Sequence, residues 1–196
     1  MPTAVHGVFN RYFDLLCALA PSREHIPRYS VMMNPAKAHA RQVVWSLMKY
    51  ETEAEIIEMI DKFETGSIAR DDWHHFDHLI VAFHYLRSMP FDDAVERMRS
   101  GIHSLLVSFG VDPAADGSPY HETLTVFWMK AVAGFISENA SNSLFEACSA
   151  LEHTFPKDFP LSFYSRERLF SEGARIRFVE PDLALSLTFA DLSFTL

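Results

Sequence analysis

The chain has 196 residues, of which 48% are hydrophobic, with 17 phenylalanines, only 7 glycines and a net charge of −9. This length suits one domain, and the composition excludes a disordered chain and is more typical of packed helices than of turn-rich β structure. The charge is uneven: residues 1–47 carry 5 basic and 2 acidic side chains, whereas residues 48–196 carry 12 and 24. Because phosphate binding needs a basic face, the acidic body argues against nucleic acid as the main partner.

The sequence contains none of the usual signals for a membrane or an exported protein. No stretch reaches the roughly 18 uncharged apolar residues of a membrane span, and the first residues lack the basic-then-apolar order of a secretory signal. Cys17 and Cys148 lie far apart, without the paired spacing of a zinc or redox motif. We therefore expect a cytoplasmic protein with reduced cysteines and no membrane partner.

Residues 1–47 are predicted to be an extension outside the helical core domain. Pro21, Pro27 and Pro35 allow one helix before Pro21 and another after Pro35. Alternatives are an organelle-targeting segment, since the stretch is rich in arginine and poor in acids, and a native start at Met48. The predicted division is an N-terminal extension over 1–47, a helical core domain over 48–183 and a C-terminal tail over 184–196.

The core domain begins with two predicted helices. Thr52 and Glu55 have the spacing of a capping box, and apolar residues follow at helical intervals until Gly66. The stretch "DDWHHFDHLIVAFHYL" (71–86) predicts a second helix, which Pro90 ends. A third helix is expected over about 91–109, before Gly110.

Further helices complete the predicted architecture. Ser118 as cap and Pro119 at the first position predict the start of a fourth helix through "YHETLTVFWMKAVAGFI", and Ser143 caps a fifth over about 144–154. The remainder is interpreted as a loop, one or two short helices and an extended tail. The predicted fold is an all-α, single bundle-like domain of about five to seven helices with an irregular C-terminal tail.

The second helix carries four histidines and offers two possible chelating pairs. His74, His78 and Tyr85 lie nearly opposite its apolar face, and His75 lies on the edge of that face. The 74/78 and 75/78 spacings both let two side chains meet on one surface, and helical geometry favours neither. His74 and His84 are expected at the surface.

The "YHET" stretch places an imidazole and a carboxylate at one helix end. His121 falls within the apolar arc of the fourth helix, and the helix dipole favours its neutral form. Glu122 lies about 100° away. If the second and fourth helices pack together, His75, His78, His121 and Glu122 could converge on Zn, Fe, Mn or Ni, with Asp77 orienting a ligand histidine.

Other interpretations of these polar residues stay open. The histidines and Asp77 could be hydrogen-bonded core residues, a small-ligand site or a solvated helix face. A third cluster is cationic: Arg175 is the main candidate for holding an anionic substrate group, and the favoured alternative is that these arginines pair with the protein's own acids. The cluster consists of Arg166, Arg168, Arg175 and Arg177, and the acids include Glu172, Glu180 and Asp182.

Four runs, "WHHFDHLIVAFHYL", "YHETLTVFW", "FYSRERLFSEGAR" and "FVEPDL", carry a family resemblance. They resemble a family of small, uncharacterised bacterial proteins with the motifs W-x-H-x-x-H-L, Y-H-E-T, Y-Y-S-x-x-x-L-x-S-x-x-A-R and V-E-P-D-L. The resemblance covers about residues 50–183 and implies no activity, but it separates His75 and His78 from the other two histidines. Phe163 stands where the motif has tyrosine. The matched positions are Trp73, His75, His78, Leu79, Tyr120, His121, Glu122, Thr123, Tyr164, Ser165, Leu169, Ser171, Ala174, Arg175 and Val179 to Leu183.

The leading functional hypothesis is a metal-dependent enzyme acting on a small molecule. Metal-activated water or dioxygen would react, with Glu122 as a fourth ligand or general base and Tyr120 beside it. Arg175, Thr125 and Tyr164 would contact the substrate. The alternative is a non-catalytic helical module that binds a small ligand or a protein through a structural polar cluster.

Overall fold

The computed structural model describes residues 49–139 and 143–183. Over these ranges the chain forms seven α-helices, two 3-10 turns and no strand, which confirms the predicted all-α, bundle-like domain. The predicted N-terminal helices and the tail lie outside the described residues. None of the described helices combines the length and apolar character that a membrane crossing needs. The helices are α1 Glu53–Glu64, α2 His75–Ser88, α3 Phe91–Ser108, α4 Glu122–Glu138, α5 Leu144–Thr154, α6 Arg166–Leu169 and α7 Glu172–Ile176, and the turns are Arg70–Asp72 and Phe159–Ser162.

Helix α1 begins and ends as its sequence predicts. The Thr52 hydroxyl accepts a hydrogen bond from the Glu55 amide at 3.3 Å, and the Glu55 carboxylate accepts one from the Thr52 amide at 3.1 Å. These two bonds satisfy amides that have no partner inside the helix. After Glu64 the chain leaves the helix through Gly66, whose φ of 65° suits a residue without a side chain.

Helix α2 is the central helix of the domain and packs against α1, α3, α4 and α5. Its predicted apolar face is buried, and so is the opposite side: Tyr85 is 1% exposed and Asp77 is fully buried. The interpretation of that side as a solvated face is therefore wrong. His74, which precedes the helix, is exposed as expected, and His84 is half-buried.

Gly101 lets α1 and α3 approach closely. A Cβ atom at this position would lie 2.5 Å from the ring of Phe63, too close unless the ring moved. Phe63 in turn stacks on Trp73, with ring centroids 4.8 Å apart and planes at 12°. A glycine inside a helix costs roughly 0.5–1 kcal/mol relative to alanine, and here that cost permits the aromatic stack.

Helix α4 begins later than predicted. His121 is its N-cap, because its Nδ1 accepts a hydrogen bond from the Leu124 amide at 3.3 Å. The predicted start at Ser118 and Pro119 is wrong, since the buried Ser118 belongs to a turn before the helix and its hydroxyl accepts from the Tyr120 amide. Helix α5 keeps its predicted cap at Ser143.

The C-terminal segment 163–183 folds back on itself. Ser165 caps α6 and also bonds the Asp182 carboxylate through its amide at 2.8 Å and its hydroxyl at 2.5 Å. The Leu183 amide donates to the Phe163 carbonyl at 3.0 Å. Helix α7 lies within this closed segment and packs against α4, so its arginine lies near the start of α4.

Candidate functional site

His75 links α2 to the chain that follows α5. Its Nε2 lies 3.1 Å from the Phe155 carbonyl oxygen and donates to it, because a carbonyl can only accept. The ring packs on Trp128, with centroids 4.7 Å apart. Burial lowers the pKa of His75 to about 4, so the imidazole is neutral at pH 7.

His78 is also a neutral, packed imidazole. Its ring lies against Trp73 at a centroid distance of 4.4 Å. Burial, with a smaller contribution from His75, lowers its pKa to about 3. His78 therefore extends the aromatic stack of Phe63 and Trp73.

Both ring nitrogens of His121 have hydrogen-bond partners. Nε2 donates to the Leu169 carbonyl at 2.9 Å, and Nδ1 accepts from the Leu124 amide. These partners require the neutral tautomer with its proton on Nε2, and burial, more than any neighbouring charge, lowers the pKa of this histidine. In this arrangement neither nitrogen has a lone pair to offer a metal.

The predicted metal ligands lie on helices that pack together, as the metal hypothesis required, since α2 contacts α4. The imidazoles of His75 and His121 nevertheless bond to carbonyls of two different segments, at Phe155 and Leu169. Within residues 49–139 and 143–183, no three side chains of His, Cys, Asp or Glu form a group that could hold a metal ion. The packing of the two helices alone does not assemble such a group.

Asp77 holds the beginning of the described chain rather than a ligand histidine. Its carboxylate accepts from the Lys49 ammonium at 2.6 Å, the Tyr50 hydroxyl at 2.7 Å and the His74 amide at 2.7 Å. Burial and this carboxylate raise the pKa of Tyr50, so that its hydroxyl stays a donor. The carboxylate is thus fully buried with three donors around it.

Glu122 accepts hydrogen bonds from two side chains, those of Arg99 and Tyr120. Arg99 on α3 donates to its two oxygens, at 3.1 Å and 2.6 Å, and the Tyr120 hydroxyl donates at 2.5 Å. Burial raises the pKa of Glu122, but the hydrogen bonds from Arg99 and Tyr120 outweigh burial and leave the pKa below its usual value. An ionised carboxylate engaged in this way is a poor proton acceptor at neutral pH, so its geometry favours holding Arg99 in place.

Thr123 fastens the C-terminal segment to α4. Its fully buried hydroxyl donates to the Arg177 carbonyl at 2.9 Å and accepts from the Val179 amide at 3.1 Å. Two residues predicted to bind substrate have similar internal roles: Thr125 donates to the His121 carbonyl at 3.1 Å, and Tyr164 donates to the Val179 carbonyl at 2.9 Å. Neither of the two lines the cavity described next.

A cavity of about 490 Å³, which we call the arginine pocket, opens where α3, α4 and the end of α7 meet. Arg175 is half-buried in its wall, and Arg177 is exposed beside it. In the described part of the chain, neither guanidinium makes an ion pair or hydrogen bond, so neither pairs with Glu172, Glu180 or Asp182. The pocket is lined by Arg99, His103, Pro113, Ala114, Tyr120, Glu122, Arg175, Ile176, Arg177 and Phe178.

His103 is a member of the pocket that sequence reasoning missed. Among buried side-chain nitrogens and oxygens of the described residues, its Nε2 alone has no hydrogen-bond partner. The ring packs edge-on to Tyr120, with centroids 4.3 Å apart. Its spacing of four residues from Arg99 puts both on one side of α3, and this spacing is the one signal in the sequence that could have identified them.

Comparison with family models, with curated proteins and with solved structures gives no match to this chain.

Proposed function

We propose that this protein binds a small anionic molecule in the arginine pocket. The observation that carries the proposal is Arg175, a half-buried residue in the wall of a cavity, whose guanidinium makes no ion pair or hydrogen bond in the described chain. A guanidinium taken partly out of water without a partner loses solvation that an anion would replace. Arg177, which is exposed, adds a second positive charge to the lining two residues away.

The charges of the pocket lining support an anion rather than a cation. Glu122 is the one acid in the lining, and Arg99 binds it through two hydrogen bonds while also pairing with Glu96 outside the lining. Arg175 and Arg177 add two further positive charges, in a protein whose net charge is −9. Guanidinium groups bind carboxylates and phosphates through paired hydrogen bonds, so either head group suits the site.

The arrangement supports binding more than catalysis by Glu122 and Tyr120. The Tyr120 hydroxyl donates to Glu122. Burial and, to a smaller extent, this hydrogen bond raise the pKa of Tyr120 above its usual value. Neither group is then ready to move a proton near pH 7. We therefore assign both to positioning Arg99, and we assign contact with the ligand to Arg175 and Arg177.

Replacement of Arg175 tests the proposal. We expect Arg175→Gln to weaken the binding of inorganic phosphate and benzoate about tenfold or more, as measured by isothermal titration calorimetry at low salt. The matched control is Arg70→Gln, which removes the same charge from an exposed residue outside the pocket and should bind both anions like the unchanged protein. Equal binding by the two variants, or equal loss in both, would refute the proposal.

A metal-dependent enzyme is our second proposal, with Zn, Fe, Mn or Ni held by His75, His78, His121 and Glu122. The observation in its favour is the packing of α2 against α4, the helices that carry these residues. It requires His121 to release at least one of its two hydrogen bonds, and Glu122 to leave Arg99. The anion-binding proposal requires no such rearrangement.

A further inference from the structure

The lining of the arginine pocket has an apolar part as well as a charged part. Pro113, Ala114, Ile176 and Phe178 share the wall with the arginines. Ile176 is 62% exposed, although a large aliphatic side chain is usually covered. Phe178 is half-buried, and the Lys130 ammonium lies 4.7 Å from its ring centroid, which holds this part of the wall in place.

The apolar and cationic side chains alternate along one short stretch. Ile176 is the last residue of α7, and Arg175 and Arg177 lie on either side of it in the chain. Thr123 fixes the backbone of this stretch through the Arg177 carbonyl and the Val179 amide. A ligand whose anionic group reaches the guanidiniums therefore has apolar surface within reach as well.

We infer that the ligand is an amphipathic organic anion, in which a carboxylate or phosphate is attached to an apolar or aromatic group. The anionic group binds Arg175 and Arg177, and the apolar group covers Ile176 and Phe178. This inference rests on the proposed function. The volume of about 490 Å³ leaves room for such a group beside the arginines. An inorganic anion would leave the apolar wall in water.

Calorimetric titration of the full chain with phenyl phosphate, benzoate and inorganic phosphate tests the inference. We expect phenyl phosphate to bind about tenfold or more tightly than inorganic phosphate, since its ring removes apolar surface from water. Ile176→Ser should reduce that preference about three- to tenfold. The control is Val107→Ser, because Val107 is also 62% exposed but lies outside the pocket, and it should change neither affinity.

The outcomes separate this inference from the proposed function. If phenyl phosphate and inorganic phosphate bind equally tightly, or if Ile176→Ser keeps the full preference, the inference is overturned, while a loss of phosphate binding in Arg175→Gln would still support anion binding. If none of the three probes binds, both proposals fail. Because Ile176 is exposed, its replacement should leave the unfolding midpoint in urea unchanged, and that measurement shows whether the variant is folded.

Discussion

His75 and His121 each connect a helix to a distant backbone carbonyl, at Phe155 and Leu169. A carbonyl buried without a donor costs free energy, and the imidazole N–H provides that donor; the His75 ring also packs on Trp128. Burial, and not these hydrogen bonds, keeps the rings neutral, because a protonated imidazole could also donate to a carbonyl. Residues that looked like metal ligands in the sequence therefore contribute to the stability of the fold.

The depressed pKa of His75 predicts that acid destabilises the protein. In the unfolded chain the pKa is about 6.5, and in the fold it is about 4. Between these values the unfolded state takes up a proton that the folded state rejects, so the free energy of unfolding falls as pH drops from about 6.5 to 4. Between pH 7 and pH 5, the free energy of unfolding should fall by about 1–2 kcal/mol less in His75→Gln than in the unchanged protein, as measured by urea unfolding at both pH values.

His153→Gln is the control for this measurement, because His153 is an exposed histidine near the end of α5. It should keep the full pH dependence. His78, whose pKa is lowered to about 3, still contributes to the acid loss in both variants, so the difference between them isolates His75. An unaltered pH dependence in His75→Gln would contradict the prediction.

At the scale of elements, the start of α4 is the place where the domain is joined together. Three of four consecutive residues each contact a different element: His121 bonds the end of α6, Glu122 bonds α3, and Thr123 bonds the chain after α7, while Tyr120 donates to Glu122. The "YHET" stretch thus holds α3, the end of α6 and the chain after α7 at one helix end. Arg175 lies in α7 and Arg177 directly after it, so the arginine pocket depends on these contacts.

Thr123→Val should loosen the segment after α7 with little change in side-chain volume. The Arg177 carbonyl and the Val179 amide lose their shared hydroxyl partner, and we expect the free energy of unfolding to fall by about 2–3 kcal/mol. Amide hydrogen exchange at Val179 should become faster, and the affinity for phosphate should drop. Urea unfolding and exchange measured by NMR check these expectations.

Thr125→Val is the matched control on the same helix. Its buried hydroxyl donates to the His121 carbonyl within α4, so its loss leaves the C-terminal segment attached. We expect a smaller loss of stability and no change in exchange at Val179. The same acceleration in both variants would show that Thr123 has no special role.

Helix starts were predictable where residues next to them in sequence define them, and less predictable where contacts with distant residues set the helix start. The capping boxes at Thr52 and Ser143 gave helix starts that the fold keeps. Ser118 and Pro119 gave an equally good local signal, but the contacts of His121 with Leu124 and Leu169 set the start of α4. No spacing along the chain reveals that Arg99 and Arg175 share a cavity, because they lie on different helices.

For the whole molecule, acidic charge and a cationic pocket occur together. The net charge of −9 repels anions at long range, whereas Arg175 and Arg177 attract them at contact. At 0.1 M salt, this repulsion is largely screened beyond about 10 Å from the protein. A small anion with a single charged group therefore has an advantage over a large polyanion at this site.

Removal of metal ions from the whole protein distinguishes our two functional proposals. We expect dialysis against EDTA to leave the unfolding midpoint unchanged, because His75 and His121 are held by hydrogen bonds to carbonyls. A metal bound only by the folded state would add stability, so its removal would lower the midpoint. A midpoint that falls with EDTA and recovers with Zn²⁺ or Mn²⁺ would favour the metal-dependent enzyme.

The buried carboxylate of Asp77 determines how far the chain can be shortened for further work. Lys49 and Tyr50 supply two of its three donors, and both precede the first helix of the domain. A fragment that begins at Glu51 would keep all seven described helices yet leave a negative charge inside α2 without its cation. Fragments for crystallisation or NMR should therefore retain Lys49, even though every predicted helix of the core begins after it.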